Sequence, residues 1–223
     1  MNHAIGESIT FAVGVALSPF PIVAVILMLL SKRSGPNATA FVFGWIAGVA
    51  LALIAVLAIS AAIGLSTGGS NTSNGTSTLR LVLGIVLAVM GLRRIRRGRD
   101  EGETPPPKWL GRIEGISPGY ALGLGFFLAA INPKNLILII GGGTAIAQTG
   151  ASLGQKSIAA IIFVVLASVS VVAPVILYHV TRRRAEPILA KWRDALEHHA
   201  SATVGAVILI LGVLLIGKGI GAF

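Results

Sequence analysis

The sequence predicts an all-α integral membrane protein, with six transmembrane helices arranged as two inverted three-helix repeats and with proline kinks in the first and fourth helices. Three observations carry this reading. Of 223 residues, 54% are apolar and only 12% charged, with a mean hydropathy of +0.87, whereas a soluble domain carries roughly 25% charge. Apolar blocks recur along the chain, most of them long enough to cross a hydrocarbon core of about 30 Å at about 1.5 Å per helical residue. Two of these blocks hold a polar, proline-bearing interruption at corresponding places.

The six spans are Ala4 to Leu30, Ala38 to Leu65, Leu79 to Leu92, Gly119 to Ala147, Ser157 to Val180 and Thr203 to Ile220. The third is short and needs its flanking residues, or tilted neighbours, to cross. No cleaved leader is expected: Met1 to Ser8 contains no Lys or Arg, and the first apolar block is too long for a signal-peptide core. The division into units follows: residues 1–98 form the first repeat, 99–117 a cytoplasmic linker and 118–223 the second repeat, within one bundle.

Orientation comes from the basic residues of the short loops. Lys32 and Arg33 follow the first span. Arg93, Arg94, Arg96, Arg97, Arg99, Lys108 and Arg112 follow the third, and Arg182, Arg183, Arg184, Lys191 and Arg193 follow the fifth. The alternate loops are nearly bare, with Lys156 alone in the turn after the fourth span. The basic side is cytoplasmic, so both termini face outward across what is expected to be a bacterial inner membrane. A net charge of +10 is thereby assigned to anionic lipid headgroups rather than to nucleic acid. The outer segment Ser66 to Thr76 is rich in Gly, Ser and Asn and reads as a flexible loop; its Asn-x-Thr/Ser patterns at Asn71 and Asn74 carry little weight.

The two halves come into register when Pro19 is set against Pro133. The first interruption reads Leu17-Ser18-Pro19-Phe20-Pro21-Ile22 and the second Ile131-Asn132-Pro133-Lys134-Asn135-Leu136. Three spans per half is an odd number, so the second half enters the membrane from the opposite side, as in transporters whose broken helices meet at a midplane site. Each proline removes a backbone donor and displaces the carbonyl about four residues earlier. In lipid, those groups need partners or a wet cavity, so the kinks are expected to pack together around one. Ser18 and Asn132 are the nearby side chains that would satisfy the freed groups.

Lys134 is the sharpest feature. Near mid-span its ammonium would have to cross about half the core, about 15 Å, to reach headgroups, so it should face a polar place inside. The spans carry no central carboxylate, which excludes a carboxylate proton relay. Lys134 therefore either meets an anionic group of a substrate or exchanges its own proton. Freed carbonyls at the two prolines would serve as partners in either case. Tyr178 and His179, at the cytoplasmic end of the fifth span, read as interface anchors.

Around these motifs, Ser18-Pro19-Phe20-Pro21 with the aliphatic run Ile22 to Ser31, then Phe43-Gly44-Trp45-Ile46-Ala47-Gly48, and later Ile131 to Leu136, the sequence resembles the GAP family. These are the glycolipid-addressing (peptidoglycolipid and sulfolipid addressing) membrane proteins of actinobacteria, within the lysine exporter (LysE) superfamily. The resemblance covers both halves, and Asn132-Pro133-Lys134 is also similar to the amino-acid exporter branch. It implies a LysE-like six-helix, two-repeat exporter in which Pro19, Pro21, Asn132, Pro133, Lys134 and Asn135 match the kink motifs. The implied role is the movement of envelope lipids, or lipid-linked intermediates, toward the cell surface. The amino-acid exporters usually carry Gly-Pro at the first kink, where this chain has Ser18-Pro19, so amino-acid specificity does not carry over.

Basic and amphipathic segments flank the spans. Arg93, Arg94, Arg96 and Arg97 abut the third span, where each charge gains about 1 kcal/mol from an anionic leaflet and also fixes topology. Pro105-Pro106-Pro107 stiffens the linker, placing Trp109, Leu110 and Ile113 in the headgroup layer. From Glu186-Pro187 onward, Ile188, Leu189, Trp192 and Leu196 share a helical face, which predicts a surface helix before the sixth span. Small-xxx-small pairs at Gly44/Gly48, Gly119/Gly123 and Gly217/Gly221 predict close helix packing, the last pair also offering a homodimer face.

Catalytic and cofactor signatures are missing from the sequence. There is no Gly-x-Ser-x-Gly, no His-Glu-x-x-His, no paired membrane carboxylates and no cysteine. An enzyme is the least favoured reading, and no metal or cofactor is expected. There is also no phosphate-binding Gly-x-x-x-x-Gly-Lys-Ser/Thr, so any ATP would be used by a partner. The competing functions are a lipid exporter, a small-solute exporter for amino acids or ions, and a non-transporting scaffold among other lipid-export components.

Overall fold

The computed structural model describes residues 2–31, 34–62, 74–100, 113 and 115–220. Among these the chain is helical throughout: α1 (Asn2–Ala16), α2 (Pro19–Leu30), α3 (Ser34–Ala62), α4 (Asn74–Asp100), α5 (Pro118–Ala130), α6 (Pro133–Ala147), α7 (Leu153–Thr181) and α8 (Glu186–Ile220), with a 3₁₀ turn, Arg182–Ala185, leading into α8. Two helices, α3 and α7, are long and apolar enough to cross a membrane by themselves. Counting α1–α2 and α5–α6 each as one bent span brings the number to four. The bends fall at the two proline motifs and measure 46° and 60°.

The sequence explains where these helices begin. Proline stands in the first turn of α2, α5 and α6, where its missing N–H would have had no intrahelical partner. The Ser117 hydroxyl accepts from the Tyr120 N–H at the start of α5. At the start of α7, Ser152 and Gln155 exchange side-chain-to-backbone hydrogen bonds, a capping box. The Lys156 ammonium then reaches back to the Ala147 carbonyl at 2.9 Å, closing the C-terminal end of α6.

At the centre of the bundle runs α6. Its three consecutive glycines each meet a different neighbour: Gly141 the ring of Phe11 on α1, Gly142 the ring of Phe163 on α7, and Gly143 the side chains of Val56 and Leu53 on α3. Removing three side chains in a row makes a cylinder narrow enough to be encircled by three helices. Trp45 of α3 is fully buried and donates its indole N–H to the Ala167 carbonyl of α7 at 3.3 Å.

Two interfaces bring backbones into direct contact. Against α3, α5 packs so closely that a Cβ on Gly44 would fall 1.9 Å from the Leu122 carbonyl oxygen, and one on Gly125 would fall 2.2 Å from that of Phe41. The expected Gly44/Gly48 pair therefore does pack within the bundle. Gly119 and Gly123, by contrast, face open space and make no such interface, and so does Gly217, while Gly221 lies outside the described residues. The other close interface joins α4 and α8 antiparallel, with Gly84 against Gly212 and Gly91 against Gly205. These glycines recur at seven residues on each helix, a spacing missed by a search for small-xxx-small pairs.

Three expectations need correction. The short third span is the middle of a longer helix, α4, which absorbs Asn74 to Thr76 of the expected outer loop and carries the arginine cluster as its last turns; residues 66–73 lie outside the described part. The surface helix and the sixth span are one continuous helix, α8. Nothing between Leu196 and Thr203 breaks a helix, since Glu197-His198-His199-Ala200-Ser201-Ala202 contains neither Pro nor Gly. Within α8 the expected apolar face is divided, with Leu189 buried and Ile188 and Trp192 exposed. Ile113 is buried in the core instead of lying in the headgroup layer. The Asn37 side chain explains this, because its amide donates to the Ile116 carbonyl at 2.9 Å and ties the end of the linker to α3. Trp109, Leu110 and the triple proline fall outside the described residues.

Candidate functional site

The two broken helices meet, and their polar residues form one network. A proline at Pro19 leaves the last carbonyls of α1 without their helical donors. Three side chains claim them. The Ser18 hydroxyl lies 2.7 Å from the Val15 carbonyl oxygen. Ser170, from α7, donates to the Ala16 carbonyl at 2.6 Å. The Lys134 ammonium donates to the Leu17 carbonyl at 3.2 Å and to the Ser18 hydroxyl oxygen at 2.6 Å.

At the second break the partners are local. The Asn132 side chain accepts from the Lys134 backbone N–H at 3.1 Å and caps α6. Asn135, completely buried, donates its amide to the Leu128 carbonyl of α5 at 2.9 Å, and its side-chain oxygen stands 2.9 Å from the Ser18 hydroxyl. Ser18 has one proton and two acceptors for it, Val15 and Asn135, while its oxygen accepts a hydrogen bond from Lys134. Four residues, Ser18, Lys134, Asn135 and Leu17, thus fasten the first break to the second.

Electrostatically the ammonium sits between opposing helix ends. The C-terminal end of α1, with its partial negative charge, faces it favourably, whereas Lys134 also stands in the first turn of its own helix, where a cation is disfavoured. All the hydrogen-bond acceptors of the ammonium are neutral, and the ion pair formed among the described residues, Arg193 with Asp194, is elsewhere, on α8. Among the described residues no carboxylate is paired with it. Its surroundings are partly open: Lys134 is half-buried, Leu17 and Ile131 are 41% and 52% exposed, and Leu136 is exposed beside them.

The structure brings together Ser18, Asn132, Lys134 and Asn135, with Pro19 and Pro21 buried behind them on α2. Pro133 is exposed on the outer side of the break, and the junction that holds Lys134 is half open. Of the expected headgroup residues, Arg93 and Arg96 are exposed and Trp192 is 41% exposed. The side chain of Arg97 and all of Trp109 lie outside the described residues. Arg94 differs from its neighbours: its guanidinium turns back over the ring of Phe20, 6.0 Å from the centroid, instead of outward. Ser170 was missed altogether, although a Ser-Val-Ser run inside an apolar span, Ser168 to Ser170, is the kind of signal that marks a polar contact in the bundle.

At this junction of broken apolar helices the Lys134 ammonium is bonded to neutral acceptors. No curated protein and no solved structure matches the chain. A family model described as Sap, sulfolipid-1-addressing protein, matches residues 9–221, and the chain belongs to that family.

Proposed function

We propose that this protein is an exporter that moves an envelope lipid with an anionic headgroup, or a lipid-linked intermediate, from the cytoplasmic leaflet of a bacterial inner membrane toward the cell surface. The observation that carries the reading is Lys134, whose ammonium is fixed by neutral acceptors at a helix break that opens beside exposed Leu17, Ile131 and Leu136. A headgroup needs a cation and helix N-termini, and its acyl chains need an apolar flank that stays open to lipid. The break offers both. The name of the family, with its reference to a sulfolipid, agrees with such a substrate.

The architecture that goes with this reading is the six-span inverted repeat of the lysine exporter superfamily, with α4 and α8 as the third and sixth spans and both termini outward. Supporting it are the matched proline breaks, the antiparallel pairing of α4 with α8, and the contact of α3 with α7, since equivalent helices of two inverted repeats are expected to meet across their shared axis. The arginines at the end of α4 then face the cytoplasm. Lipid headgroups are its partners in this reading. A homodimer formed through the face of Gly217 and a scaffold role beside other export components are outcomes to be separated from it.

Reconstitution into liposomes tests the proposal. Fluorescent lipids with sulfated or phosphorylated headgroups should move between leaflets faster than in protein-free vesicles, while radiolabelled lysine and arginine are retained. Efflux of amino acid without lipid movement would replace this reading with a small-solute exporter.

A further inference from the structure

We infer that Arg94 and Phe20 complete a two-cation site with Lys134, which takes a tetrahedral oxyanion, a sulfate or phosphate ester, between α2, α4 and α6. The inference rests on the reading of Lys134 as the headgroup cation and adds the residue that makes the site selective for a compact, multiply accepting anion over a carboxylate or a neutral sugar.

Four observations converge on Arg94. It belongs to a run of arginines at a helix end, where the ordinary course is to extend the head outward into water and headgroups; exposed Arg93 and Arg96 fit that course. Arg94 turns inward, its guanidinium over the face of Phe20. Its Nε is buried and has no hydrogen-bond partner, an unmet donor of a kind that folded proteins rarely leave. Finally, the Phe20 ring it covers belongs to the first turn of α2, the end of that helix at which Ser18 accepts from Lys134.

Two cations held near each other, one with an unmet buried donor, are stabilised by an anion placed between them. Phe20 supplies the link. It follows Pro19 on α2, two residues after Ser18, which accepts from Lys134, so Arg94 and Lys134 are both held at the first turn of α2. An oxyanion there accepts from the Arg94 Nε–H through one oxygen and from the Lys134 ammonium through another, both charge-assisted bonds. Planar guanidinium donors suit sulfate and phosphate oxygens. The N-terminus of α6, opened by Pro133, adds its partial positive charge on the same side. In the proposed orientation Arg94 is nearer the cytoplasm, so a headgroup gathered by Arg93 and Arg96 meets Arg94 first and Lys134 next.

The test uses the full chain in lipid nanodiscs and follows the binding of a fluorescent sulfated galactolipid, its unsulfated parent and inorganic sulfate. Arg94→Gln should weaken binding of the sulfated lipid about tenfold or more, as expected for loss of a charge-assisted bond. The unsulfated parent should bind all variants alike. In the Lys134→Met background Arg94→Gln should cost less than about twofold further, because the two cations share one ligand. Arg94→Lys keeps the charge and should retain more than about a third of the affinity, which keeps the question open to measurement if the glutamine variant does not fold.

Arg94-dependent binding of the sulfated lipid assigns the oxyanion to a headgroup, and Arg94-dependent binding of inorganic sulfate alone assigns it to a free ion; either supports the paired site. Unchanged binding of both probes in Arg94→Gln, or equal losses in Arg94→Lys and Arg94→Gln, overturns it. If Lys134→Met loses binding while Arg94→Gln does not, the inference fails and the proposed function stands. If Lys134→Met transports normally, the proposed function itself fails.

Discussion

The two proline breaks look alike in sequence and do opposite work. The first is an acceptor: Pro19 and Pro21 are buried, Ser18 makes no side-chain cap on α2, and the carbonyls of Val15, Ala16 and Leu17 are met by hydroxyls and by a lysine, two of these donors coming from other helices. The second supplies the charged donor: Pro133 is exposed, Asn132 caps its own helix, Lys134 donates across to the first break, and the buried Asn135 oxygen accepts from Ser18. The first break exposes carbonyl oxygens, and the second brings the ammonium that meets the Leu17 oxygen. A pair of matching motifs therefore need not make a symmetric site. The asymmetry is what brings the Lys134 charge to the junction.

The largest effect should come from removing that charge. Lys134→Met keeps an unbranched stem of similar length, so the protein should insert and fold, and stability should hold or rise because a desolvated cation is gone. Lipid transport in liposomes should fall to background. Normal transport at normal abundance would make the junction a purely structural fastening.

Next comes Asn135, the buried centre of the network. Asn135→Ala leaves the Leu128 carbonyl without its donor and the Ser18 hydroxyl without one acceptor, which should cost about 2 kcal/mol of stability. Thermal unfolding in detergent should show a clear fall, with transport reduced in step. Transport lost without destabilisation would mean that Asn135 touches the substrate, and would shift the boundary of the site toward α5.

How far the sequence disclosed this arrangement depended on whether a signal was local. Proline in an apolar run has one physical meaning, a broken helix, and both breaks lie where Pro19 and Pro133 placed them. A lysine in such a run must find acceptors, so Lys134 was legible too. The partner helices were not. Ser170 satisfies a carbonyl 154 positions away, and Arg94 could be told from the neighbouring arginines only by the direction its side chain takes. Glycine spacing misled in part because small residues can equally face lipid. Gly119 and Gly123 face open space, whereas Gly84, Gly91, Gly205 and Gly212 join helices at a seven-residue repeat. The continuity of α8 was missed because membrane depth was used to divide what the backbone had no residue to interrupt.

A smaller effect is expected at Ser18, the residue shared by both breaks. Ser18→Ala removes the hydroxyl that accepts from Lys134 at 2.6 Å but leaves the Leu17 carbonyl as an acceptor. The ammonium keeps one anchor and gains freedom to move. Transport should fall about tenfold, in keeping with loss of one hydrogen bond to a charged group. A Lys134→Met, Ser18→Ala double variant should be no worse than Lys134→Met alone. Additive losses in that cycle would show that Ser18 acts on the substrate independently of the lysine.

The smallest effect should be at Asn132, and it sharpens the comparison from the other side. Its side chain caps α6 through the Lys134 backbone N–H and makes no described contact with the first break, so it belongs to the donor helix alone. Asn132→Ala should cost about 1 kcal/mol of stability, the usual value of an N-cap, and Asn132→Ser, which caps through its own oxygen, should restore most of it. Transport should stay within about twofold in both, because the position of the ammonium is set by its bonds to Ser18 and Leu17 and not by its own N–H. The readout is the ratio of initial transport rate to protein folded in the liposome. If Asn132→Ala halved stability-corrected transport several times over while Asn132→Ser restored it, the cap rather than the first break would be what aims Lys134, and the division of labour between the two breaks would have to be redrawn around α6.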